Sequence, residues 1–524
     1  MRKIILSVLS GLLFAFSWPT LGFFPLIFIA FLPLLILEQE ICSKSSNSSL
    51  QLFGFSFLSF FIFNIITTYW IWHATMFGAL SAFIINSLLM SLFFVLFHKV
   101  KKILGKKKGY ISFIFLWISM EYLHLNWELA WPWLTLGNVF APIPGIVQWY
   151  EFTGVLGGSL WVLIVNLLFF GVFILKEKIR FFVYVSIFII IPIVISIIIY
   201  PNMDLSSIDH EEIVIVQPNV DPYLDKFNLE ALTQLDNFIE LSKTKLTNNT
   251  SLLLGPETAL QESNMWESQI DNSPSIQQLM KLQREFPNLN ILIGASTYKY
   301  LGNHFEKNSR KLNSKEWYNA YNSALFLEND STISIYHKTR LVPGVEQIPY
   351  SFLFDYIVDL TVDLGGTSGS LSTDNSINIF ESKGLKLLPL ICYESVFGDM
   401  ITGRNFNLIA IITNDGWWKN TSGYKQHFEY ARLRAIEQRT SIIRSANTGI
   451  SGLILPNGDV VQNSVWDEEI VINVQVPLLN SFTFYNKYGD LIGRVFSFVS
   501  VLLIMSTIVR NRTKKILTSK DVSI

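Results

Sequence analysis

Seven apolar runs fill residues 4 to 200, and an eighth covers about 489–509. No other feature restricts the fold as strongly. A backbone inside lipid has no water to bond, so each run must satisfy its own N–H and C=O groups. A run of ~20 residues does that as a helix. The expected spans are about 4–20, 23–38, 52–72, 77–98, 110–127, 154–175, 181–200 and 489–509. Composition agrees. Half of the residues are hydrophobic and 15% are charged, against ~25% for a soluble domain. The first run, "MRKIILSVLSGLLFAF", starts like a signal peptide. No small-x-small cleavage site follows it, and a second run begins after "SWPTLGF". It is therefore expected to stay as the first helix.

Basic residues orient the spans. Arg2 and Lys3 place the start in the cytoplasm, because positive charge collects on that side. With eight spans, "HKVKKILGKKK" with its six lysines, "KEKIR" and "RNRTKK" all fall on the same side. A count shifted by one would scatter them. Residues 201 to 488 then lie outside the cytoplasm and both termini inside. Cys42 and Cys392 fall on opposite sides and cannot pair. Neither a paired-Cys motif nor His-Glu-x-x-His is present, so no metal or cofactor is expected. One outward loop, "NWELAWPWLTLGNVFAPIPG", carries three tryptophans and one charge. It reads either as an interfacial aromatic belt or, with Glu121 and His124, as the wall of a lipid-accessible chamber.

From about 208 to 485 the pattern changes. Short β-rich runs such as "EEIVIVQPNV", "NLNILIGAST", "LKLLPLICYES" and "NLIAIITNDGWW" alternate with helical stretches at about 228–246, 273–286 and 424–439. Continuous apolar strands between helices argue for covered sheets and an α/β layered fold. The expected organisation is an α-helical membrane bundle over 1–200, an extracytoplasmic α/β domain over 208–485, a last membrane helix over 489–510 and a short basic cytoplasmic tail over 511–524. The charge distribution gives no reason to expect a nucleic-acid partner.

Within that domain several apolar runs end in a polar or reactive residue: Glu257, Lys338, Cys392 and Asn414. A strand end holds such groups on a rigid frame. A thiol attacks only as a thiolate and needs a neighbouring base or positive charge. Acyl transfer also needs a donor for the negative oxygen of the tetrahedral intermediate. Glu257 in "GPETA" can take the thiol proton, Lys338 in "IYHKTRLVPGVEQIP" can sit at the oxyanion, and Cys392 can attack. Taken singly, each has an ordinary reading as a surface carboxylate, a solvated lysine or an inert core thiol. Glu394, two residues after the thiol, reads either as a surface carboxylate or as part of the hydrogen-bonding frame of the site.

Together, "GPETA", "YHKTRLVPGVE", "ICYES" and "TNDGWW" resemble the nitrilase superfamily. That resemblance implies an αββα sandwich and a Glu-Lys-Cys triad. With "FSWPTLGFFPLIFIAFLPLL", "PWLTLGN" and "RSANTGIS", and with membrane helices on both sides of the domain, the whole chain is similar to the apolipoprotein N-acyltransferase family. The resemblance implies that Cys392 takes an acyl chain from a phospholipid such as phosphatidylethanolamine and holds it as a thioester. The chain would then pass to the α-amino group of the N-terminal diacylglyceryl-cysteine of an apolipoprotein, at the periplasmic face of a bacterial inner membrane. It implies Glu257 as general base and Lys338 as the group that stabilises the tetrahedral intermediates. Glu346 becomes a second glutamate that orders the site. Tyr393 and Glu394 are the residues after the nucleophile, Trp417 lies near the substrate entrance, and Asn322 and Asn414 are further supporting candidates. The chain departs from the family's pattern at Gly344-Val345-Glu346, where an aromatic commonly precedes the Gly-Glu pair, and at Gly255, where a bulky residue is common. Two other readings stay open: a membrane-anchored amidase that uses water as acceptor, and a non-enzymatic transporter with a large binding domain.

Overall fold

Helices cover the expected apolar runs in the computed structural model, which describes residues 1–19, 21–44, 47–174, 178–200, 205, 208–223, 229–329, 332–350, 371–374, 376–480 and 482–521. The chain forms two units. One joins Met1–Tyr69, Ala79–Pro201 and Lys487–Ile524; the other joins Trp70–Gly78 and Asn202–Asn486.

The first unit is helical. Its main helices are Arg2–Ser17, Leu32–Lys44, Ser48–Thr68, Met76–Leu104, Lys106–Leu125, Tyr150–Ile174, Lys178–Ile199 and Leu491–Asp521. Among the described residues, 6 stretches are long and apolar enough to cross a membrane. The other two helices fall short for visible reasons: Arg2–Ser17 has 16 residues, and Lys106–Leu125 opens on three lysines and carries Glu121 and His124. The second expected span is broken. Phe24–Ile29 is a 3-10 helix with Pro25 in its first turn, and the α-helix begins only at Leu32. Proline starts a helix readily but cannot continue one. Asn166 bridges the break, accepting from the Phe31 N–H at 2.9 Å and donating to the Ile27 carbonyl at 2.8 Å. The last helix runs through the expected basic tail, since lysine and arginine are good helix formers. The expected helix ends at 20 and 175 and the last three residues of the tail lie outside the described residues.

The second unit holds two sheets. The first contains β1 (His210–Gln217), β2 (Thr250–Leu254), β3 (Asn290–Gly302), β4 (Arg310–Lys311), β5 (Trp317–Leu327), β6 (Ile333–His337) and β13 (Ile470–Pro477), in the order β13-β1-β2-β3-β5-β4 with β6 beside β5. The second contains β7 (Phe380–Ser382), β8 (Leu385–Ile391), β9 (Leu408–Thr413), β10 (Ser441–Ala446), β11 (Gly452–Ile454) and β12 (Val460–Asn463), in the order β12-β11-β10-β9-β8-β7. The centre of each sheet is parallel: β1, β2 and β3 in one, β8, β9 and β10 in the other. Pro389 is tolerated inside β8 because β7 pairs only as far as Leu387, so among the described residues that edge has no partner strand beyond it.

Period-two alternation sorts the strand residues between two cores. Ile213, Leu252, Leu292, Leu387, Ile412 and Ile443 meet between the sheets. Val214, Leu253, Ile291 and Ile293 face Leu235, Phe238, Ile276 and Leu279 of the helices Ala231–Lys243 and Pro274–Glu285. A third helix, Ser422–Gln438, packs on β10 and β11. The result is the expected αββα sandwich. Each fully buried leucine or isoleucine contributes ~1.5–3 kcal/mol to holding it, so the strand ends that carry the site rest on a rigid base.

Candidate active site

Four strand ends converge. Glu257 follows β2 by a short turn, Lys338 directly follows β6, Cys392 directly follows β8 and Asn414 directly follows β9. All four are buried.

The turn at Glu257 depends on a glycine in the neighbouring strand. A Cβ on Gly294 of β3 would lie 2.4 Å from the Thr258 nitrogen and 2.7 Å from the Glu257 Cα. Only glycine lets the two backbones approach so closely. The Gly294 N–H also donates to the Pro256 carbonyl at 3.0 Å. Thr258 sits at φ +48, where the chain turns sharply past the carboxylate.

Lys338 lies between two carboxylates. Its Nζ is 2.8 Å from Glu346 Oε1 and 3.3 Å from Glu257 Oε1. Asn322 on β5 donates to both, at 2.8 Å to Glu257 Oε1 and 3.2 Å to Glu346 Oε1. The outer oxygens are held by main chain: the Asn414 N–H donates to Glu257 Oε2 at 2.9 Å, and the Val342 N–H to Glu346 Oε2 at 2.8 Å. Burial alone would push the ammonium down. The charges of Glu346 and Glu257 outweigh it and hold Lys338 above the ordinary lysine range. It is therefore a fixed cation at any physiological pH, and the cluster carries one more carboxylate than lysine. Gly344, at φ +79 with open space around it, forms the turn that brings Glu346 back to Lys338 despite the departure from the family's pattern.

Cys392 ends β8 in an uncommon conformation, φ +51, at the start of the 3-10 turn Cys392–Val396. Non-glycine residues pay steric strain there, and such strain clusters at functional sites. The thiol is pushed up by burial and by the Glu257 charge, while Lys338 pulls the other way. It rests as a neutral thiol, so an attack by sulfur requires a base to remove the proton.

Glu394 is fully buried and is no surface carboxylate. Its Oε1 accepts from the Tyr336 hydroxyl at 2.8 Å, the Thr339 N–H at 2.7 Å, the Thr339 hydroxyl at 2.8 Å and the Arg340 N–H at 3.2 Å. Its Oε2 accepts from the Ile391 N–H at 2.8 Å. Burial raises its carboxyl, against the Ile391 N–H, Tyr336 and Lys338. It ties the end of β8 to the segment just after Lys338, fixing nucleophile and cation in one frame. Tyr393 is buried against the Phe397 ring, centroids 4.9 Å apart.

Not every expected residue joins this centre. Trp417 packs its ring on Tyr223 at 5.4 Å. Its neighbour Trp418 instead reaches inward, 5.5 Å from the His427 ring. Asn414 serves through its main-chain N–H, while its side chain accepts from Gly416 N at 3.2 Å and Asn447 Nδ2 at 3.3 Å. Residues that sequence reasoning missed stand behind the thiol: Ser395, Asp415, His427 and Arg444, all buried. The one available signal was an arginine inside an apolar strand, "TSIIRSA".

A buried thiol, a lysine held between carboxylates and a spare carboxylate form the minimum set for covalent acyl chemistry. A model of the apolipoprotein N-acyltransferase N-terminal domain matches residues 10–168, and a carbon-nitrogen hydrolase model matches residues 215–481. The chain is 28% identical to an apolipoprotein N-acyltransferase of Chlorobaculum tepidum, over 98% of this chain and 97% of that one. It is 26% identical to one from Geobacter metallireducens, over 93% and 92%. A CN-hydrolase superfamily protein of Xanthomonas campestris superposes on 51% of the chain and 90% of its own, at 15% identity and a TM-score of 0.34. The chain belongs to the carbon-nitrogen hydrolase family, in its apolipoprotein N-acyltransferase branch.

Proposed function

We propose that this protein moves an acyl chain from a phospholipid, through a thioester on Cys392, to the α-amino group of the diacylglyceryl-cysteine that begins an apolipoprotein. The observation that carries the reading is Lys338 clamped between Glu257 and Glu346 beside a neutral, buried thiol. A preformed thiolate is disfavoured there, so proton removal and attack must be concerted.

In the first half-reaction Glu257 takes the thiol proton as Sγ attacks the ester carbonyl of the donor. Lys338 neutralises the oxyanion. Collapse breaks the acyl carbon–oxygen bond, and Glu257 returns the proton to the departing glycerol oxygen, releasing a lysophospholipid. In the second, the acceptor amine attacks the thioester, Glu257 receives the amine proton, an amide forms and the cysteine is restored. One site serves two lipids in turn, so the kinetics are ping-pong. Glu346 and Asn322 hold Lys338 and Glu257 in register without touching substrate. The main-chain N–H of Asn414 orients Glu257, Tyr393 and Glu394 hold the turn at the nucleophile, and Trp417 lines the approach. Phosphatidylethanolamine is the proposed donor.

The apolar helices support a membrane location. The basic clusters at 99–108, 176–180 and 510–515 support both termini in the cytoplasm, the domain 208–485 on the periplasmic side and the protein in a bacterial inner membrane. The helical region 1–200 and the last span 489–510 would hold that domain against its lipid donor.

Intact mass spectrometry tests the reading. Wild-type protein incubated with phosphatidylethanolamine should gain one acyl chain, removed by neutral hydroxylamine and absent in Cys392→Ala. A diacylated lipopeptide should clear the adduct and become triacylated. Release of free fatty acid without an acceptor would instead identify a hydrolase. An unmodified wild-type enzyme with intact lipid would refute covalent catalysis.

A further inference from the structure

The thiol of Cys392 faces the lysine and carboxylates, but its carbonyl is tied to a separate set of buried groups. The carbonyl oxygen accepts from the Ser395 hydroxyl at 2.7 Å and lies 3.1 Å from His427 Nε2. His427 sits on the helix Ser422–Gln438, 35 residues away in sequence. The Ser395 hydroxyl also lies 2.8 Å from Nε2, but its one proton goes to the Cys392 carbonyl, so both neighbours of Nε2 are left to accept and Nε2 carries a proton. The other ring nitrogen, Nδ1, is 2.9 Å from Asp415 Oδ1. Asp415 is held in turn by Arg444 Nη2 at 2.7 Å on its second oxygen and by the Thr413 hydroxyl at 2.9 Å on the first. Burial would raise the Asp415 carboxyl, but Arg444 and His427 outweigh it and keep it ionised below the usual range. Trp418 closes the ring on one side.

We propose that His427 is a positioning residue: with Asp415 and Arg444 fixing its ring, it holds the Cys392 peptide in the left-handed conformation that presents the thiol to Glu257 and Lys338. Three observations converge. The peptide is strained, at φ +51 in a non-glycine residue. Strained backbone persists only where its surroundings over-determine it. The His427 donor is buried and comes from a different element, so it cannot follow the peptide if it relaxes. The ring's own orientation is fixed by an ionised, doubly held carboxylate, as a ring needs if it is to hold something else. Local bonds alone do not suffice, because Ser395 belongs to the same turn as Cys392 and would relax with it.

The inference deepens the acyltransferase reading but can be tested apart from it. In a Cys42→Ala background only one thiol remains, and its alkylation by iodoacetamide reports how well the site presents and deprotonates sulfur, with no lipid involved. His427→Leu removes the donor. His427→Gln restores one, since its amide can reach toward the same carbonyl. The expected result is alkylation of folded His427→Leu slowed by about tenfold or more, the scale of one such backbone restraint, with His427→Gln recovering much of the rate. Acyl-adduct formation from phosphatidylethanolamine should follow the same order. Thermal unfolding of each variant separates loss of fold from loss of placement. His427→Leu that is folded and alkylates at the wild-type rate overturns the proposal, as does a folded His427→Gln with no recovery. Should His427→Leu fail to fold, Asp415→Asn, which leaves the ring but loosens it, must show the slowed alkylation, and a wild-type rate there overturns the proposal equally. If wild type forms no acyl adduct while alkylation follows the expected order, the acyltransferase reading fails and the positioning role stands.

Discussion

Each unit hides a lysine against glutamate, and the two clusters are built on opposite balances. In the helical unit, Glu38 is fully buried with two partners: His98 Nδ1 lies 2.6 Å from one oxygen and Lys101 bonds the other. Ser48 meets the far side of the His98 ring at 3.0 Å, and the Tyr110 hydroxyl bonds Lys101 at 3.1 Å. Both carboxylate oxygens are used. In the sandwich the ratio is reversed, with one lysine and two carboxylates, and a strained thiol beside them. A buried cluster whose cations match or exceed its carboxylates has no group left to take up a proton. It can only hold helices together. A cluster with a surplus carboxylate next to a neutral thiol has somewhere for the proton to go. Lys338 is as buried as Lys101, and only Glu346 keeps appreciable exposure, so burial alone separates neither role. The arithmetic of charge does.

That contrast can be broken most sharply at Lys338. Lys338→Met removes the cation held between Glu257 and Glu346. Acyl-adduct formation should fall by about 10²–10³, the scale of losing one donor to a developing oxyanion. The variant should also lose stability, on the ~3–5 kcal/mol scale of a broken buried pair, so the rate is read on the folded fraction, where Asn322, Val342 and Asn414 still hold the carboxylates. Adduct formation near the wild-type rate would mean that the lysine is structural in both units and that the comparison fails.

The helical cluster should behave in the opposite way. Glu38→Ala leaves Lys101 and His98 buried without their carboxylate, a loss of ~3–5 kcal/mol by the usual scale for breaking a buried pair. Thermal unfolding in detergent should drop steeply, while the molecules that remain folded acylate Cys392 at the wild-type rate. A variant as stable as wild type but slow in acylation would overturn the assignment of this cluster as a lock.

How much of this could be read from the residues depends on how far apart in sequence the cooperating groups lie. Cys392, Lys338 and Asn414 are visible because each stands where a run of apolar strand residues stops, a local pattern. The α/β layering is visible because fully buried strands and amphipathic helices differ in period, whereas the two-sheet αββα order is what the resemblance to the nitrilase superfamily implies. Glu394 is half visible: its place two residues after the thiol is clear, but its five donors come from Tyr336, Thr339, Arg340 and Ile391, most of them over 50 residues away. The Asp415–His427–Arg444 set is barely visible: Arg444 stands out as a charge inside an apolar strand, but Asp415 and His427 do not point to it, and only the fold brings the three together. The break at Phe31 is legible in hindsight from Pro25 and Pro33, which a smooth hydropathy profile averages away.

The smallest expected effect concerns the residue just before the lysine. His337 is buried, with Nδ1 2.7 Å from Asp374 and Nε2 2.8 Å from Glu267, and its ring stacks on Tyr321 at 3.8 Å. Both ring nitrogens face acceptors, so the ring is an imidazolium. Burial alone would lower its pKa, but Glu267 and Asp374 outweigh it and raise it. The sign follows. A histidine raised in the folded state stabilises fully below its unfolded value of ~6.5 and loses that contribution as pH climbs through the folded value. Asp374 is 43% exposed, so solvent screens its share, and about 1 kcal/mol is a fair ceiling for the pair. Wild type should therefore unfold at a lower temperature at pH 9 than at pH 6, and His337→Gln should lose much of that slope. The Glu38 cluster gives a built-in control. The slope in a Glu38→Ala background should persist, because that variant leaves His337 and its partners untouched. Parallel stability–pH curves for wild type and His337→Gln would show that the imidazolium contributes nothing measurable, and that the charge arithmetic separating the two clusters stops at Lys338.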